Sequence, residues 1–112
     1  MAKYEAELHG GFFEILEAVN DAVMSNSASA TLEDKSDFST DNATCAVRVY
    51  ERYSYSGQNR VSMSVTLLKS DERIFITVIT SGGSQGMFLK FNTFGESSFL
   101  DTVISTIESY KI

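Results

Sequence analysis

A chain of 112 residues with 43% hydrophobic and 21% charged content is sized for one globular domain, and it holds no apolar run long enough to span a bilayer. Nine Lys and Arg stand against fifteen Asp and Glu, so a formal charge of −6 works against nucleic acid and anionic lipid as partners. Cys45 is the only cysteine, which excludes an internal disulfide, and the amino terminus lacks the basic-then-apolar plan of a secretory signal, so the expected setting is cytoplasmic.

In chain order, Lys3 to His9 alternates Tyr4, Ala6 and Leu8 with Lys3, Glu5, Glu7 and His9, predicting a strand with one wet face. Gly10-Gly11 interrupts it. Phe12, Ile15, Leu16, Val19, Ala22 and Val23 then fall on one helical stripe opposite Glu14, Glu17, Asn20 and Asp21, which predicts a helix ending near Asn26. From Ala28 to Phe38 the pattern suits an edge strand with Ala30 and Leu32 as its apolar alternates. A turn over Asp37 to Asn42 leads into a strand where Cys45, Val47 and Val49 alternate with Ala46, Arg48 and Tyr50, reaching roughly Tyr53. Ser56-Gly57-Gln58-Asn59 turns the chain back, and Val61, Met63, Val65 and Leu67 against Ser62, Ser64 and Thr66 give the cleanest alternation of all. Ser70-Asp71-Glu72 is the next turn.

The stretch from Arg73 to Tyr110 organises the rest. Ile74, Ile76 and Val78 alternate with Phe75, Thr77 and Ile79, and the glycines of Ser81 to Gly86 then predict a hairpin into a further strand over Met87 to Asn92. Thr93-Phe94-Gly95-Glu96 has the spacing of a capping box, so a helix is expected to begin near Phe94. Phe99, Leu100, Val103, Ile104, Ile107 and Tyr110 form its apolar stripe.

The expected order is therefore β-α-β-β-β-β-β-α, a two-layer α+β sandwich whose mostly antiparallel, curved sheet carries both helices on one face. This element order resembles TATA-binding-protein-like and helix-grip domains over nearly the whole chain, a resemblance that implies a fold and no function. Gly82-Gly83-Ser84-Gln85-Gly86, with Lys90, Asn92-Thr93, Gly95-Glu96 and Phe99-Leu100, resembles small uncharacterised bacterial proteins, which implies no known activity.

If Val47, Val49, Val61, Met63, Val65, Ile74, Ile76, Val78, Leu89 and Phe91 face the helices, parity assigns the opposite face to Arg48, Tyr50, Arg52, Phe75, Ile79, Phe88 and Lys90, with Ser62, Ser64, Thr66, Thr77 and Asn92 among them. Exposed aromatics there mark a partner or ligand surface, and self-association as a homodimer is the leading expectation. Arg beside aromatic side chains also suits an anionic or apolar small ligand, and in composition a base-stacking platform, which the net charge disfavours. The alternative is a small-molecule-binding domain with an apolar pocket between the helices and the curved sheet.

No constellation of catalytic groups emerges, so no enzymatic activity, cofactor or metal is expected. His9 is the only histidine and sits at a strand end, and Cys45 is assigned to the core face with no motif around it. The glycine segment lacks the Gly-Lys-Ser/Thr of a phosphate loop, while Asp34, Asp37 and Asp41 lack calcium-loop spacing.

Overall fold

The computed structural model describes residues 1–54, 59–82 and 89–112, and their side chains except those of 54 and 89–94. Five strands, β1 (Ala2–Leu8), β2 (Thr31–Ser39), β3 (Ala43–Ser54), β4 (Asn59–Ser70) and β5 (Arg73–Gly82), are joined by two helices, α1 (Phe12–Ser25) after β1 and α2 (Leu89–Glu108) after β5. The sheet is antiparallel throughout, in the order β1-β5-β4-β3-β2. Short reversals explain the order. Asp71 takes a positive φ of 54° in the two-residue turn between β4 and β5, a conformation that aspartate tolerates.

Both apolar helical stripes meet the same sheet face. Phe12, Ile15, Val19, Ala22 and Val23 of α1 and Phe99, Leu100, Val103 and Ile107 of α2 join Val61, Met63, Val65, Leu67, Ile74, Ile76 and Val78 in one buried cluster. Burial of this kind contributes about 1.5–3 kcal/mol per large apolar side chain before entropy is counted. Gly10, at the bend from β1 into α1, has a φ of +130°, and a Cβ there would lie 3.3 Å from the Tyr110 ring. The chain end returns to β1, where the His9 amide donates to the Tyr110 carbonyl (2.9 Å) and the Ile112 amide to the Glu7 carbonyl (3.1 Å).

Two expectations are corrected here. The described residues contain no strand after β5, because Leu89 to Asn92 form the first turn of α2; the predicted glycine turn over 83–86, with Met87 and Phe88, lies outside the described residues. Alternation over so few positions is equally compatible with a helix. Thr93 and Glu96 are consequently not a capping pair, since both stand inside α2. The Glu96 carboxylate, its side chain only 4% exposed, lies 2.6 Å from the amino-terminal nitrogen of Met1, and the Glu96 carbonyl accepts a hydrogen bond from the buried Thr80 hydroxyl at 2.9 Å.

Candidate functional site

With both helices on one side, the other face of the sheet has no cover among the described residues. Its composition follows from register, since directly paired residues share a face. One row runs Phe38–Cys45–Leu68–Phe75, the next Ser36–Val47–Thr66–Thr77 and the third Asp34–Val49–Ser64–Ile79. Charge lies at the margins: Glu5 and Glu7 on β1, Arg73 at the start of β5, and the ion-paired Glu51 and Arg60 (2.8 Å) at the far end. Cys45, Val47, Val49, Leu68, Phe75 and Ile79 are half-buried by their neighbours, whereas Phe38 is 68% exposed on the edge strand. A neutral, largely apolar centre inside a charged margin is the anatomy of a contact surface.

Phe75 is the best supported of these side chains. The Arg73 guanidinium lies over its ring at 4.9 Å and also forms paired hydrogen bonds to the Glu7 carboxylate at 3.0 and 3.1 Å. The bond from Arg73 is the main reason the Glu7 carboxyl titrates below the usual range.

The face assigned from the sequence is right for β4 and β5 and reversed for β3. Phe75 and Ile79 stand on the open face with Ser62, Ser64, Thr66 and Thr77, as expected. Arg48, Tyr50 and Arg52 do not: they pair with Val65, Met63 and Val61 and belong to the helix-covered side, which turns Val47, Val49 and Cys45 outward. Side-chain chemistry accounts for the reversal. Tyr50 buries its ring at 1% exposure and donates its hydroxyl to Asn20 Oδ1 of α1 at 2.8 Å, and this burial pushes its pKa up. The arginines run their apolar stems along the covered side and place their heads on polar partners, Arg48 on Asp37 at 2.9 Å and Arg52 on the Ser98 hydroxyl at 2.9 Å. Phe88 lies outside the described residues, and Lys90 belongs to α2 rather than to a strand of the sheet. The signal that finds Val47 and Val49 is hairpin parity: Ser54 pairs with Asn59, so even-numbered β3 residues share a face with the odd-numbered apolar set of β4.

A second feature lies at the β2 edge of the sheet. Strand β2 is exposed along all 9 of its residues, and a cleft of about 350 Å³ opens between it and α1, lined by Phe13, Leu16, Glu17, Asn20, Leu32, Lys35 and Arg48. Phe13 is 73% exposed there. The acidic residues singled out earlier do not converge, because the register puts Asp34 and Asp37 on opposite faces of β2.

A five-stranded antiparallel sheet with two helices on one face and a neutral apolar surface on the other defines an α+β domain with one layer left open. The chain belongs to a family of unknown function (DUF6054), whose model matches residues 1–111. Neither curated proteins nor solved structures give a significant match. Among the described residues no helix is long and apolar enough to cross a membrane.

Proposed function

We propose that this chain is a non-enzymatic interaction domain that self-associates through the open sheet face, in a cytoplasmic setting. The observation that carries the reading is the neutral centre formed by Val47, Val49, Leu68, Phe75 and Ile79 opposite the helix layer. Five strands about 4.8 Å apart and 7 to 12 residues long, at about 3.3 Å per residue, give an area of roughly 600 Å² per copy. Two copies packed face to face therefore bury about 1,200 Å², the low end for a specific interface and short of the standard of about 1,600 Å². A dimer of that size dissociates on dilution. A twofold arrangement also lets Arg73 and Lys3 at the margin of one copy meet Glu5 or Glu51 of the other.

The test is Val47→Glu, which places a carboxylate at the centre of the face and opposes it to its own copy. Native mass spectrometry over a dilution series should show a dimer in the wild type and a folded monomer in the variant. A wild type that stays monomeric at the highest concentration, or a variant that still dimerises, rejects the sheet-face contact. The cleft between α1 and β2 supports a second reading, the small-molecule pocket that the helix-grip-like order implies, because Phe13, Leu16 and Leu32 meet Lys35 and Arg48 there. Added mass retained by the monomer in the same experiment favours it.

A further inference from the structure

Arg52 stands apart from the other arginines. Arg48, Arg60 and Arg73 each meet a carboxylate, Asp37 at 2.9 Å, Glu51 at 2.8 Å and Glu7 at 3.0 Å. Arg52 has no carboxylate partner among the described residues, and these include every Asp and Glu of the chain. In a protein with fifteen acidic residues against nine basic ones, an arginine without an acid is unexpected. It is also partly withdrawn from water, and this desolvation depresses its pKa, so the charge stands where it is least well compensated. What offsets it is neutral: the Phe99 ring, 4.7 Å from the guanidinium carbon, and two hydroxyls.

Those hydroxyls determine what the charge can hold. Ser98 Oγ of α2 accepts from one guanidinium nitrogen at 2.9 Å and Ser27 Oγ, just after α1, accepts from the other at 3.4 Å. A serine oxygen that accepts still has its own proton to donate. The three groups thus offer a cationic fork flanked by two O–H donors, contributed by β3, α2 and the segment following α1. A carboxylate satisfies the fork with its two oxygens, whereas a phosphate has further oxygens for the hydroxyls.

We propose that Arg52, with the Ser27 and Ser98 hydroxyls, forms a binding site for a phosphate group. The site lies on the helix-covered side of the sheet, away from the open face, so it stands or falls independently of self-association.

Isothermal titration calorimetry of the full chain tests this, with inorganic phosphate in one arm and phenyl phosphate in the other, ionic strength being held constant with chloride. The wild type should bind at least one of them. Arg52→Gln should weaken that binding about ten- to a hundredfold, the loss expected of a charged hydrogen-bonding partner. Binding of both probes identifies the free anion as a sufficient ligand, and binding of phenyl phosphate alone identifies a phosphate carried on an organic body. If Arg52→Gln does not fold, Ser98→Ala keeps the charge and removes one donor, and it should weaken binding several-fold. Absence of binding by the wild type in both arms overturns the proposal and leaves Arg52 as a tie between β3 and α2. Equal affinity in the wild type and in whichever variant folds does the same.

Discussion

Strands β3 and β4 are both 12 residues long and pair along their whole length, yet they divide their side chains by opposite rules. In β4 hydropathy decides from Val61 to Leu67: Val61, Met63, Val65 and Leu67 are buried, Ser62, Ser64 and Thr66 face the open side, and only Leu68 beyond them is an apolar residue turned outward. In β3 the covered side receives Ala46, Arg48, Tyr50 and Arg52, while Cys45, Val47 and Val49 are turned outward. The difference teaches that length and head-group chemistry can outrank mean hydropathy where helix cover runs out. Strand β4 is the middle strand and packs against both helices, but β3 lies next to the fully exposed β2, where a long side chain buries its stem and still reaches a polar partner.

The sharpest way to break the comparison is to charge each strand on its buried side. Val65→Asp puts an unpaired carboxylate at a position that is 1% exposed, and the expected loss of several kcal/mol should leave no cooperative thermal transition. A folded Val65→Asp protein would reverse the two faces of β4. For β3 the corresponding site is Tyr50. Tyr50→Ala should cost about 3–5 kcal/mol, the range for truncating a buried aromatic, measured by urea unfolding. Were Tyr50 instead on the open face, as the alternation of β3 implies, the loss would stay under about 1 kcal/mol.

A milder change sharpens the same point. Tyr50→Phe keeps the ring and removes only the bond to Asn20, so about 1 kcal/mol is expected. Its pH dependence carries a sign. Burial raises the Tyr50 pKa above the unfolded value, so this contribution is fully present below about pH 10 and is lost as pH rises through the folded-state pKa. The wild type should therefore lose more stability than Tyr50→Phe between neutral and strongly alkaline pH. Parallel profiles would show that the hydroxyl is not desolvated.

How much of this was legible follows from the same physics. The α1 stripe, β4, β5 and the stripe from Phe99 to Ile107 obey one period each over many residues, and all of them stand where the sequence places them. The start of α2 does not, because Leu89 to Asn92 alternate over a single helical turn and Thr93 to Glu96 happen to have cap spacing. Glu96 is satisfied by the Met1 nitrogen, a partner no local pattern announces. For the open face, Phe75 and Ile79 were readable, whereas Val47 and Val49 needed the parity of the β3–β4 hairpin. Arg52 was readable as a candidate but not for its surroundings, since Ser27, Ser98 and Phe99 come together only through tertiary packing.

The smallest expected effect bears on the open face itself. Each copy carries a formal charge of −6, so two copies repel at long range, while the centre of the proposed contact is uncharged. Raising the ionic strength from about 0.01 M to about 0.15 M shortens the screening length from about 30 Å to about 8 Å, which weakens that repulsion and leaves apolar contact intact. The dimer dissociation constant, followed by sedimentation equilibrium, should fall a few-fold over this range. Were the marginal pairs involving Arg73, Lys3, Glu5 and Glu51 to dominate, salt would raise the constant instead. A rise would thus preserve the dimer but move its driving force from the apolar centre of the face to its rim.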